Sequence, residues 1–180
     1  MDKWINQIDQ TTREFQHSFG SLTEDELNWK PSPEVWSIAQ NIDHLIVINQ
    51  SYFPILADLR SGNLKLPYIA RFKVITSFLG RLVLSGVHPD RKKKSKTFSI
   101  WEPETGHIAP DIMGRFSTHQ DRLKSEIKAS KEWIESDAVI HSPANRNIVY
   151  KLEAAFDIIV HHEQRHLAQA QTILASRRKV

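Results

Sequence analysis

No cysteine occurs in the 180 residues. Disulfides, thiolate zinc sites and a cysteine nucleophile are therefore all excluded. No stretch approaches the ~20 apolar residues of a membrane span, and the longest apolar segments are interrupted by Lys73 and Arg81. The opening residues, MDKWINQIDQ, lack the apolar core of a signal peptide, so a cytoplasmic protein is the expectation. Internal repeats, low-complexity tracts and a convincing strand pattern are missing as well. What is present is a hydrophobic fraction of 40% and a charged fraction of 25%, those of a soluble globular chain. A single domain over residues 1–180 is expected, long enough to bury a real core.

The formal charge of +3 is unevenly placed. Arg91, Lys92, Lys93, Lys94 and Lys96 contribute five positives and Arg177, Arg178 and Lys179 three more; without them the chain would carry −5. The basic character thus sits in one loop, 91–96, and in a tail, 177–180, that is expected to be disordered. Such a distribution does not make a continuous nucleic-acid face. Neither a nucleic acid nor a membrane is expected as a partner.

Helical periodicity organises the rest. Trp4, Ile8, Thr11, Phe15 and Phe19 share one face of a first helix over 2–19, which Gly20 stops. Thr23 with Glu26 and Ser37 with Gln40 are placed as capping boxes. The second of them opens a long helix from Ile38 to Arg60, with Pro54 as a kink near its far end. His44 lies on a flank of that helix, where it can reach a site between helices or be an ordinary boundary residue. Residues 68–85 read as a lesser helix with Phe72, Ile75, Phe78, Leu79 and Leu82 on one side. A long irregular crossover from Gly86 to Pro110 follows, containing His88 and His107 without periodic context. Asp111 to Ser136 reads as the third long helix. His119 points inward from it as a core residue, an indirect support for a site, or a fourth ligand.

The last helix carries FDIIVHHEQRHLAQAQ, Phe156 to Gln171. At about 100° per residue, Ala155, Ile159, His162, His166, Gln169 and Ile173 fall on one stripe, with His161 opposite. Two imidazoles four residues apart therefore point the same way from an apolar face. Leaving their ring nitrogens unpaired there costs roughly 1–3 kcal/mol each. A pair of bonded core histidines avoids that cost, and so does a shared metal ion. His162-Glu163-Gln164-Arg165-His166 also matches H-E-x-x-H, the zinc metalloprotease motif. Only fourteen residues follow His166, none of them His, Asp or Glu, and no sheet is evident to hold a peptide substrate. The protease reading is correspondingly weak. Four long helices, one lesser helix and one crossover between the second and third bundle helices make an all-α, antiparallel four-helix bundle.

The segments KPSPEVWSIAQNIDHLI (Lys30–Ile46) and HHEQRHLAQ (His161–Gln169) resemble the two signature regions of the DinB-like superfamily. LGRLVLSGVHPDRKKKSKTF is similar to a long insertion carried by some members before their third bundle helix. The resemblance implies an antiparallel four-helix bundle, often a homodimer, with a divalent metal held by three histidines. One comes from the second helix and two from an H-x-x-x-H in the last. The matching positions are His44, His162 and His166. Zinc, nickel and iron all suit imidazole ligands.

Characterised relatives implied by this resemblance include bacillithiol transferases and mycothiol-dependent isomerases, and others have been called metal-dependent hydrolases. The expected function is accordingly an enzyme that moves a small thiol onto an electrophilic small molecule through an open three-histidine metal site. A hydrolase using metal-bound water is the alternative, and a non-catalytic metal- or ligand-binding bundle is a third. Glu163 and Gln169 are the candidate catalytic side chains, acting behind or beside the ligands as base, acceptor or orienting group. Trp36 and Tyr52 are candidate mouth residues.

Overall fold

The apolar stripe of the first eighteen-odd residues folds as its spacing requires. The computed structural model describes residues 1–90, 97–103 and 105–178. In it α1 runs Asp2–Phe19, and Trp4, Ile8, Thr11, Phe15 and Phe19 are its buried residues. Gly20 ends the helix in right-handed geometry, its N–H on the Gln16 carbonyl, rather than in the left-handed conformation common at such positions. The helices α2 (Glu24–Asn28) and α3 (Ile38–Gln50) both open on complete capping boxes, Thr23 with Glu26 and Ser37 with Gln40.

The long helix expected over 38–60 is two helices. After Gln50 the chain breaks at Ser51 and Tyr52, and α4 (Phe53–Arg60) restarts with Pro54 in its first turn. Proline has no N–H to continue the ladder, and its ring crowds the carbonyl four residues back. Tyr52 is drawn into the core by the break, where its hydroxyl meets that of Tyr150 at 2.9 Å. A 3-10 turn, Tyr68–Arg71, precedes α5 (Lys73–Val87). The crossover returns through a second 3-10 turn at Ser99–Trp101 to α6 (Ile112–Ala129), and Ser130 separates α6 from the short α7 (Lys131–Glu135).

A small sheet was not expected. β1 (Val139–His141) pairs antiparallel with β2 (Val149–Lys151), Ile140 opposite Tyr150. Three residues per strand are too few to show an alternation in sequence. The hairpin leads directly into α8 (Leu152–Arg177). Arg177 ends that helix in an ion pair with Glu26 at 2.6 Å, while residues 91–96 and 179–180 of the two basic clusters lie outside the described residues.

Side-chain pairs set the helix directions. Asp9 with Lys124, Thr12 with Gln120 and Phe15 with Phe116 make α1 and α6 antiparallel. Asn41 with His166 and Asn49 with Glu163 do the same for α3 and α8, and Tyr52 with Tyr150 continues the trend just beyond their ends. Trp4 packs on Phe156 and donates to Asp157 near the starts of α1 and α8, and Phe15 and Phe19 share a cluster with Ala170 and Leu174 near their ends, so the two helices run together. Asp43 of α3 with Arg115, and Phe53 at the start of α4 with His119, show that this stretch of chain and α6 also run together. A parallel pair cannot be joined by a tight turn, and the long crossover is what that geometry demands.

The core is split. Trp4, Ile8, Leu56, Leu123, Ile127, Tyr150 and Phe156 belong to one apolar cluster. Phe15, Phe19, Ile42, Leu45, Phe116 and Ala170 belong to another. Each large side chain buried in them contributes roughly 1.5–3 kcal/mol. Between the two clusters, Thr12, Asn49, Gln120 and Glu163 join in a hydrogen-bonded layer drawn from α1, α3, α6 and α8.

Candidate metal centre

His44 stands in the second turn of α3, placed there by the Ser37 cap. His162 and His166 stand one turn apart in α8, which lies antiparallel against it. Among the described residues, these three form a group whose ligand atoms all lie within 4.8 Å of one another. Ring centroids are 5.2 Å apart for His44 and His162, 4.8 Å for His44 and His166, and 4.5 Å for His162 and His166. His44 and His166 are buried and His162 is half-buried.

Tautomers follow from the outer partners. His44 Nδ1 donates to the carbonyl of Trp101 at 2.5 Å, and His166 Nδ1 donates to Asn41 Oδ1 at 2.7 Å. Asn41 is oriented in turn, because its amide donates to the Ser37 carbonyl at 2.8 Å. Both imidazoles therefore keep an unprotonated Nε2 on the side of the cluster. His166 Nε2 faces His162 Nε2 at 3.1 Å. Burial, followed by repulsion from the neighbouring rings and Arg165, pushes His162 down to about 3 and His166 well below its ordinary value. Burial also lowers His44, against the opposing pull of the Trp101 carbonyl. His162 can donate to His166 from Nε2; with its proton on Nδ1 instead, three Nε2 lone pairs converge, and a divalent cation is the group that can share them. The residues present fit such an ion.

Trp36 covers one side, 4.9 Å from His44 and nearly parallel to His166 at 6.1 Å. Tyr52 does not line the mouth; it sits in the core on Tyr150, where burial raises its hydroxyl well above the ordinary range. Glu163, adjacent to His162 in sequence, turns into the bundle and is fully buried. Its carboxylate accepts from Asn49 at 2.8 Å and from Gln120 at 2.9 Å, and burial raises it to about 7 against those two bonds. Gln169 is exposed one turn beyond His166.

His119 is buried between helices with its ring stacked on Phe53, 5.6 Å away, and burial pushes it down to about 4. It does not join the cluster. His161 bonds back to the Asp157 carbonyl and packs on His88, and His107 pairs with Glu24. Sequence reasoning missed the outer partners. Asn41 had a signal, since it shares the flank of His44 one turn before it. The Trp101 carbonyl had none, being a backbone group delivered by the crossover.

A helical bundle presenting three neutral imidazoles from two of its helices defines a candidate divalent-metal protein. The chain matches the family model of the DinB superfamily over residues 7–170, and it belongs to that superfamily. It is similar to "Uncharacterized protein YuaE" of Bacillus subtilis (strain 168), with 29% identity over 153 residues, covering 84% of this chain and 85% of that one. No solved structure matches it significantly.

Proposed function

We propose that the protein is a cytoplasmic, metal-dependent enzyme that transfers a small, bacillithiol-like thiol to an electrophilic small molecule. The observation that carries this reading is the ligand count: three histidines converge, and among the described residues no fourth His, Cys, Asp or Glu joins them. Structural zinc sites close with four protein ligands, whereas catalytic ones keep a position open. When bound, a divalent ion would supply Lewis acidity and lower the pKa of a group drawn to that position. His44, His162 and His166 would hold it, with Asn41 and the Trp101 carbonyl keeping two of the rings in register. Trp36 would bound the reactants on one side and exclude water there. Glu163 supports α8 from behind the ligands, and Gln169, exposed one turn beyond His166, would orient a reactant. With no cysteine in the chain, sulfur must arrive as a cosubstrate.

The experiment is a thiol-consumption assay on metal-loaded protein with low-molecular-weight thiols and an alkyl or aryl halide acceptor. Turnover that disappears in His44→Ala and persists without added ester or amide substrates supports transfer. Ester or amide cleavage without thiol would replace this reading with the hydrolase. Full metal occupancy with neither reaction would leave a binding bundle. Pairing of two copies, as the family resemblance implies, is checked by sedimentation.

A further inference from the structure

The sequence reading puts Phe72, Ile75, Phe78, Leu79 and Leu82 on one side of the lesser helix, as if to face the core. The structure turns part of that side outward. The buried residues of α5 are Thr76 and Gly80. A Cβ on Gly80 would lie 3.2 Å from Tyr150 Cβ and 3.3 Å from Ala154 Cβ, so the helix backbone presses directly on β2 and α8. The opposite face is left to solvent: Val74, Phe78 and Leu82, at i, i+4 and i+8, are 81%, 57% and 57% exposed. Tyr68 and Phe72, from the turn that precedes the helix, continue the apolar surface. Monomeric proteins seldom leave this many large apolar side chains together in water without a use.

Charge indicates the partner. Residues 61–89 contain Lys65, Arg71, Lys73 and Arg81 and no Asp or Glu. All four cations are exposed, and none is in a salt bridge with another described residue. A second copy of this chain docked face to face through this patch would set Arg71, Lys73 and Arg81 among the same three cations of the other copy, since a two-fold interface uses one patch twice and pairs residue i with j and j with i. An apolar helical stripe whose own segment carries cations and no acidic residue, with Asp137 near Lys73 the acidic neighbour, instead matches a surface that is apolar beneath and anionic on top. That is the boundary of an anionic bilayer, where a helix lies in the plane with its apolar face sunk to the acyl chains. Among the described residues no helix is long and apolar enough to cross a membrane, and this contact requires none to do so.

We propose that the outer face of α5, with Tyr68 and Phe72, docks this protein on an anionic phospholipid surface. This goes beyond the metal reading and does not depend on it. It also amends the expectation of no membrane partner, in that the chain lies on a bilayer rather than spanning it.

The test is cosedimentation of the full-length protein with phosphatidylcholine vesicles, with and without phosphatidylglycerol. Binding about tenfold tighter to the phosphatidylglycerol vesicles is expected, falling severalfold as salt rises from about 0.1 M to about 0.5 M. Phe78→Ser with Leu82→Ser alters only exposed side chains, so folding and metal content should persist while vesicle binding falls about tenfold. Lys73→Glu with Arg81→Glu should lower binding at least as much. The proposal is overturned if the two vesicle types bind equally, or if the double serine variant binds like the parent. It is also overturned if the parent is a dimer that the serine variant turns into a monomer while neither pellets with vesicles.

Discussion

The histidine cluster and the carboxylate layer lie side by side on the same two helices, His44 and Asn49 on α3, His162 and Glu163 on α8. Both are polar groups in a hydrophobic interior, and the interior treats them differently. Glu163 has a donor for each oxygen, Asn49 on one side and Gln120 on the other, so its needs are met within the fold. His44 and His166 are satisfied on their outer nitrogens, by the Trp101 carbonyl and by Asn41, while the inner nitrogens of His162 and His166 face each other. Their inner nitrogens converge, which a folded chain tolerates when a cation shares them. The comparison teaches that adjacency in a motif does not mean a shared site. The H-E-x-x-H string divides between a candidate metal centre and a bundle brace because successive helical residues point about 100° apart.

Removing a ligand should separate the two regions most sharply. His162→Ala and His166→Ala should each lower metal content of untagged protein, measured by elemental mass spectrometry, from near one ion per chain to below about a tenth. His44→Ala should do the same, whereas His161→Ala should keep its ion; equal loss in that variant would break the facing assignment. Substitution in the carboxylate layer should show the converse pattern. Glu163→Ala orphans the Asn49 and Gln120 amides and should cost roughly 2–4 kcal/mol in urea denaturation. Glu163→Gln, which keeps the shape, should cost much less, and both should retain metal.

His119 extends the comparison to pH. Its folded pKa of about 4 lies below the ordinary 6.5 because burial opposes the charged form. Above pH 6.5 both folded and unfolded states are neutral at this ring and its contribution is intact. As pH falls toward 4 the unfolded chain takes up the proton first, so stability is lost over that window, by about 3 kcal/mol. His119→Leu should flatten that part of the stability profile; an unchanged slope would mean the ring is not buried neutral. The smallest effect belongs to Asn41. Asn41→Leu leaves all three ligands in place but frees the His166 ring to turn, and metal affinity should weaken about 10–100-fold. A competition titration with a chromophoric chelator reads this directly.

Much of the fold was legible in residue order, because amphipathic helices announce themselves by period and cap. The α1 stripe, both capping boxes and the inward face of α6 are where spacing put them. The misreadings share a cause: they concern which of two apolar surfaces is covered, or where a ladder breaks. Pro54 was visible, but whether it bends or ends a helix depends on what receives Tyr52. The exposed side of α5 is as apolar in sequence as a core face, and only the close seating of Gly80 on the hairpin decides which side goes in. The hairpin itself was too short to register.

What the residue order determined by itself is local and periodic: helical segments, their starts, and two imidazoles one turn apart on α8. That third histidine within reach of them was a matter of tertiary structure, since α3 must lie antiparallel to α8 at the level where His44 meets His162 and His166. The supports were decided the same way. A backbone carbonyl from Trp101 and an amide from Asn41 hold the rings because packing brings distant segments together, and no spacing rule encodes a contact between residues 57 positions or 125 positions apart.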